Sequence, residues 1–216
     1  MPTRFSYIFK KRISSDYPQS LYVILSGAAG SFFIAPGGIK MEFKSNIMDS
    51  GAVNRALARI SHEIVERNPG CDRISLVGIM RRGAPLADIL AAKIRLLGVE
   101  TEIGYLDITL YRDDLSGGYQ PKLNSTKIDF SVTDKTIVMV DDVLFTGRTA
   151  RAAMDALMSL GRPSKIQLAA LIDRGHRELP IVADYIGKNV PTSRNEVVVV
   201  KIPPFEDEIG VSIWQK

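Results

Sequence analysis

Residues 136–149, TIVMVDDVLFTGRT, constrain this chain more than any other stretch. The run Ile137-Val138-Met139-Val140 is apolar and β-branched enough to be a strand buried on both faces, the kind found in parallel sheets. Asp141 and Asp142 fall where that strand should end, and a short turn over 143–147 comes next. A helical pattern then begins at once: Ala153, Leu157 and Leu160 recur at i, i+4 and i+7, and Gly161 and Pro163 stop it. A strand, an acidic pair, a small-residue turn and a helix N-terminus are how an α/β protein presents a site at the carboxyl edge of its sheet.

The chemistry is set by that order. Backbone N–H groups at a helix start point outward and carry the positive end of the dipole, so Thr146, Gly147, Arg148 and Thr149 make a phosphate cradle. Asp141 and Asp142 repel phosphate; they suit hydroxyls, which donate to them, or a Mg²⁺ ion. A ligand with phosphate at one end and sugar hydroxyls at the other satisfies both halves. The stretch has neither the lysine of a Walker loop nor a GxGxxG run, which argues against both of those nucleotide folds. The bland alternative is an ordinary strand–turn–helix whose acidic pair has no ligand.

An acidic pair and then TGRT on such a strand resembles the phosphoribosyl-pyrophosphate (PRPP) loop of type I phosphoribosyltransferases. GIMRRG, LDITLYRDDLS, AAMDALMSLGRPSKIQLAALIDRGHRELPI and ADYIGKNVPTS are similar to the PyrR family, pyrimidine-operon regulators that are also uracil phosphoribosyltransferases. The match runs from about Met48 to the C-terminus. It implies an α/β fold: a doubly wound, mostly parallel sheet with a flexible loop and a small hood. The implied reaction is uracil plus PRPP giving UMP and pyrophosphate, with Mg²⁺ carried by the substrate near Asp141 and Asp142 rather than ligated directly by the protein. The resemblance also implies response to UMP or UTP, binding of pyrimidine-operon leader mRNA, a homo-oligomer (dimer or higher) and a cytoplasmic location, with no membrane partner.

Residue by residue, the PRPP loop would comprise Asp141, Asp142, Val143, Leu144, Phe145, Thr146, Gly147, Arg148 and Thr149. Residues 73–79 read as a strand running into Met80-Arg81-Arg82-Gly83 and a helix over 84–97, which matches the pyrophosphate loop of the family. Arg82-Gly83 is its usual Arg-Gly, with Arg82 pointing in; Arg81 stands where threonine is commoner. The segment 110–129 has no apolar period and matches the catalytic flexible loop, from which Arg112 would reach pyrophosphate, while Asp113 and Asp114 order the loop or, alternatively, serve as acid–base or metal-binding groups. Residues 165–172 are another buried strand, ending at Arg174, a candidate substrate contact. Candidate RNA contacts are Arg55, Arg59, His62 and Arg67, on the polar face of a helix starting at Asp49, together with His176, Arg177 and Lys188. That polar face reads equally well as ordinary solvated surface. Val182 and Ala58 stand where the family has a basic and a hydroxyl residue, departures that touch the RNA function and not the enzyme. Two further readings stay open: an RNA-binding attenuator with little catalysis, and a phosphoribosyltransferase for another base.

Composition bounds the rest. A chain of 216 residues with 45% apolar and 24% charged residues is an ordinary globular domain, and a net charge of +4 suits phosphorylated ligands or RNA without demanding either. A single cysteine, Cys71, excludes an internal disulfide. Residues 1–40 differ from the rest of the chain: basic residues, then an apolar stretch over 21–35 rich in Gly, Ala and Ser. The stretch is too short and Gly-rich to span a bilayer. It reads as a poorly packed extension preceding a phosphoribosyltransferase domain over 41–216, with a structured addition or an export signal as alternatives. A final edge strand is expected over 209–214.

Overall fold

A computed structural model describes the side chains of residues 41–111 and 126–216, save that of Leu110, and the backbone of strands β1 (Ile8–Lys10), β2 (Val23–Gly27) and β3 (Gly30–Ile34). The remaining elements are β4 (Lys40–Met48), α1 (Ser50–Arg67), β5 (Arg73–Ile79), α2 (Gly83–Leu96), β6 (Glu100–Leu106), β7 (Thr136–Leu144), α3 (Arg148–Leu160), β8 (Lys165–Asp173), β9 (Tyr185–Asn189), β10 (Glu196–Lys201) and β11 (Gly210–Gln215).

Five strands form a parallel sheet in the order β6-β5-β7-β8-β9. Its central strands are buried along nearly their whole length, because helices cover both faces. On one face, Val53, Leu57, Ile60 and Ile64 of α1 and Leu86, Leu90 and Ile94 of α2 pack with Leu76, Val138 and Val140. On the other, Ala150, Ala153 and Leu157 of α3 pack with Val77, Ile137 and Met139. The period-2 alternation of β7 thus feeds two separate cores. The chain passes from β5 to the far side at β6 and returns to β7, so the strand order reverses between β5 and β7, where a doubly wound sheet opens its crevice.

A second, antiparallel sheet has the order β1-β2-β3-β4-β11-β10. The expected edge strand near the C-terminus is therefore an interior strand: β11 pairs with β10 on one side and β4 on the other, and β10 is the edge. A lone apolar run says "strand" but not which neighbours it will find. The segment before Met41, set aside from its sequence as an unpacked extension, contributes three strand backbones to this sheet.

Candidate active site

The carboxyl edge of the parallel sheet gathers two strand-to-helix turns. Between β5 and α2 runs Met80-Arg81-Arg82, whose Met80–Arg81 peptide is cis. Between β7 and α3 runs Phe145-Thr146-Gly147. The two turns are held together by glycine. A Cβ on Gly83 would sit 2.2 Å from the Val140 carbonyl oxygen and 3.3 Å from Asp141 Cα, so the first turn of α2 lies directly on β7 at the acidic pair. A Cβ on Gly78 would meet Ala84 Cα at 2.6 Å, so the return of α2 over its own strand also needs hydrogen at that position.

The acidic pair lies inside β7 rather than beyond its end, since the strand continues to Leu144. Val143 packs with the α1/α2 core and Leu144 with the α3 core, while β7 stays paired with β8 in unbroken register from Thr136 to Leu144. A regular strand sends neighbouring side chains to opposite faces. Asp141 is buried and its Oδ1 accepts the Asp142 N–H at 2.9 Å; Asp142 Oδ1 accepts the Val143 N–H at 2.9 Å. Burial pushes the Asp142 carboxyl up from its ordinary range, against the opposing pull of the Arg82 charge and of its hydrogen bonds.

Arg82 is half-buried and turned inward, while Arg81 is exposed. Arg82 Nη2 donates to Glu206 Oε1 at 2.5 Å, a partner on the turn between β10 and β11 that nothing in the sequence singled out. Glu206 sits in the run Glu206-Asp207-Glu208, which reads as a solvated acidic loop.

Gly147 is the N-cap of α3, in the left-handed conformation at φ 92°, and has no side chain to cap the helix; the Thr146 hydroxyl accepts the Arg148 N–H at 3.4 Å. Arg148 donates from Nε to Glu178 at 2.8 Å on the exposed side, so it is the backbone and the threonines of this turn, more than the Arg148 guanidinium, that line the cradle. The turn is braced from behind: the Thr146 carbonyl accepts N–H bonds from Glu178 and Leu179. Arg177 donates to the Leu144 and Phe145 carbonyls at 3.3 and 2.7 Å, to Ile181 O at 2.8 Å and to Asp173 at 2.5 Å. An arginine read from the sequence as an RNA contact thus spends its donors on the rear of the turn between β7 and α3.

Arg174 likewise has a different duty from the substrate contact expected of it. It is buried, its Nε donates to Thr192 Oγ1 at 3.1 Å, and its Nη2 donates to the Ser193 and Glu196 carbonyls at 3.3 and 2.7 Å. Its guanidinium lies 4.0 Å from the centre of the Phe145 ring. It ties the second sheet to the turn between β7 and α3. His176 joins the same junction, with Nε2 at 2.5 Å from Thr192 O and its ring edge-on to Phe145 at 6.0 Å.

The remaining candidate RNA contacts lie together along β9, the edge strand of the parallel sheet. Arg59 donates to the Ile186 and Gly187 carbonyls at 2.7 and 2.8 Å, Arg67 to Asp184 O at 2.9 Å, and Lys188 to Ile47 O at 3.3 Å. Arg55 and His62 are exposed on the same helix. These side chains cover an open strand edge as well as giving it charge.

Arg112, Asp113 and Asp114 lie outside the described residues. The two ends of their segment meet: Tyr105 and Lys127 form an antiparallel bridge, and Thr109–Tyr111 is a 3-10 turn. A cleft of about 520 Å³ opens at the opposite, amino edge of the sheet between Arg73, Glu102 and Lys135, and shares no residue with the two turns. Among the described residues no three of His, Cys, Asp and Glu group as metal ligands, and no helix is long and apolar enough to cross a membrane.

Comparison with known proteins agrees with this geometry. A family profile for the phosphoribosyl transferase domain matches residues 44–203. A hypoxanthine-guanine phosphoribosyltransferase from Bacillus anthracis superposes with a TM-score of 0.61 at 16% identity, covering 82% of this chain and 99% of that one. A hypoxanthine phosphoribosyltransferase from Trypanosoma cruzi superposes at 0.64 and 15% identity, covering 80% and 96%. At such identities the likeness speaks for the fold alone. Profile and fold define the class, a type I phosphoribosyltransferase domain. The bifunctional protein PyrR of Thermus aquaticus is 58% identical over 178 residues, 82% of this chain and 98% of its own length. That of Acetivibrio thermocellus is 62% identical over 161 residues, 74% of this chain and 88% of its own. The chain belongs to the PyrR family of phosphoribosyltransferases.

Proposed function

We propose that this protein transfers the phosphoribosyl group of PRPP to uracil, releasing UMP and pyrophosphate, and that it also binds pyrimidine-operon leader mRNA under control of uridine nucleotides. The observation that carries the enzymatic half is the contact of Gly83 with β7 at Asp141, which sets an arginine turn and an uncapped helix start beside one acidic pair. A pentose with a phosphate at one end and a diphosphate at the other matches this spacing of charges.

In this reading the backbone N–H groups at the start of α3 and the hydroxyls of Thr146 and Thr149 hold the 5′-phosphate. Asp141 and Asp142 accept from the ribose hydroxyls and stand near the positive charge that develops as the anomeric bond loosens. Arg82 and Arg112 hold the departing diphosphate. Oxygens of PRPP and water would carry Mg²⁺ against this corner, and the bound ion neutralises diphosphate charge. Arg174 and His176 set the height of the second sheet over the base. No protein nucleophile is needed, because uracil attacks. The substrates are those of the cytoplasm, and the protein acts there as a homo-oligomer.

The test is a panel of free bases with Mg²⁺ and PRPP, scored by pyrophosphate release. Uracil should turn over and hypoxanthine, guanine and orotate should not; turnover of a purine alone would reassign the substrate. The regulatory half rests on the basic strip of Arg55, Arg59, His62, Arg67 and Lys188 along β9. Leader RNA should bind with a steep inverse salt dependence and more tightly with UMP. A flat salt slope with no effect of UMP would reject it.

A further inference from the structure

Of the acidic run between β10 and β11, Asp207 and Glu208 are exposed, while Glu206 is half-buried and held at both oxygens. Its Oε2 accepts the Ile202 N–H at 3.0 Å, which fixes the carboxylate on the turn. Its Oε1 accepts from Arg82 Nη2 at 2.5 Å across 124 residues of sequence. The side chains of Arg82 and Glu206 are 24% and 21% exposed, so the pair is partly desolvated and stronger than a surface ion pair. The same arginine charge acts on Asp142, so carboxylates from both sheets share one guanidinium.

A guanidinium offers the same planar pattern of N–H donors to a carboxylate and to a phosphate. An anion that takes Arg82 Nη2 must therefore displace Glu206. We propose that Glu206 is an intramolecular stand-in for the diphosphate: it keeps Arg82 aimed into the site, yields it to the incoming diphosphate, and takes it back as pyrophosphate leaves. Glu206 is then a positioning residue that lowers affinity for the diphosphate, the reverse of what a purely structural salt bridge does. The inference rests on the assignment of Arg82 to the diphosphate in the proposed reaction.

The test is the affinity for magnesium pyrophosphate, by calorimetry and as product inhibition, in Glu206→Gln, Glu206→Asp, Arg82→Ala and the double variant Arg82→Ala/Glu206→Gln. Glutamine keeps an oxygen for the Ile202 N–H and loses the charge; aspartate keeps the charge and loses the reach. Both should bind pyrophosphate about 3- to 10-fold more tightly than the parent and show a lower KM for PRPP, the size of effect a partly exposed ion pair supports. In the Arg82→Ala background the Glu206→Gln change should have no effect. If Arg82→Ala weakens pyrophosphate binding but neither Glu206 variant tightens it, the stand-in role is overturned and the site assignment stands. If Arg82→Ala leaves pyrophosphate binding unchanged, the assignment falls and this inference with it. The aspartate variant decides the matter if the glutamine variant does not fold.

Discussion

Helices α1, α2 and α3 begin in two different ways. At the start of α1 the Asp49 side chain accepts the Ala52 N–H at 2.6 Å, so the orphan donors of that helix are served from within. At the starts of α2 and α3 the N-caps are Arg82 and Gly147, residues that cannot accept a hydrogen bond through their side chains, and at α3 the Thr146 hydroxyl takes the Arg148 N–H only at 3.4 Å. The starts of α2 and α3 open onto the carboxyl-edge crevice. Where a helix start only has to be stable, the sequence supplies its own acceptor. In the proposed reaction the acceptor for the other two starts comes with the ligand. The acids of the crevice are on β7, where Asp141 Oδ1 and Asp142 Oδ1 accept the N–H groups of the residues that follow them.

The largest effect that could break this contrast is at Asp142. Asp142→Asn should lower turnover with uracil at least about 100-fold in steady-state assays, the scale for losing a group aimed at developing charge. The same variant should be more stable than the parent at neutral pH. Burial raises the Asp142 carboxyl above its unfolded value of 3.8, so the stability tied to its neutral form is fully present below that value and is lost as pH rises through the folded value. Thermal melts should show Asp142→Asn above the parent at pH 7, the gap closing near about pH 4. A variant that lost stability at pH 7 would contradict the assigned direction.

Next in size is a pair of glycine substitutions. Gly83→Ala places a methyl group 2.2 Å from the Val140 carbonyl oxygen, so β7 and α2 must separate; a cost of about 2–3 kcal/mol in denaturant unfolding, with loss of PRPP binding, is expected. Gly51→Ala in α1 meets only the ends of the Arg55 and Asp49 side chains, at 3.3 and 3.5 Å, and should stabilise by about 0.5–1 kcal/mol without touching PRPP binding. Equal effects at the two positions would erase the distinction between the helix starts. Arg174→Leu, which strands the Ser193 and Glu196 carbonyls and bares Phe145, should lower stability by about 2 kcal/mol and raise the KM for uracil more than that for PRPP. The smallest effect is Asp49→Ala, about 1 kcal/mol of stability in urea unfolding with kcat unchanged.

Much of the parallel half was legible because its signals are local. The run 137–140 reads as a buried strand whatever surrounds it, and Asp49 caps α1 by its own geometry. What was not legible is long-range. Arg174 and Arg177 look alike to any sequence rule, two arginines in a basic stretch, yet both are consumed by backbone carbonyls brought in from β7 and from residues 192–196. Glu206 gave no signal because an acidic run is ordinary surface until a fold sets it against an arginine 124 residues away. The interior position of β11 and the strands before Met41 were hidden for the same reason: pairing partners are a property of topology, not of a strand's own residues. Gly83 could be named from its motif, but only the 2.2 Å approach to Val140 says why a side chain is forbidden there.

The most direct test of the central claim is amide hydrogen exchange of the full chain with and without Mg²⁺ and PRPP, read at the three helix starts. Residues 147–150 at α3 and 82–84 at α2 should gain protection on binding, while 50–53 at α1, already served by Asp49, should not change. Saturating PRPP that left 147–150 unprotected, or protected all three helix starts alike, would contradict the account.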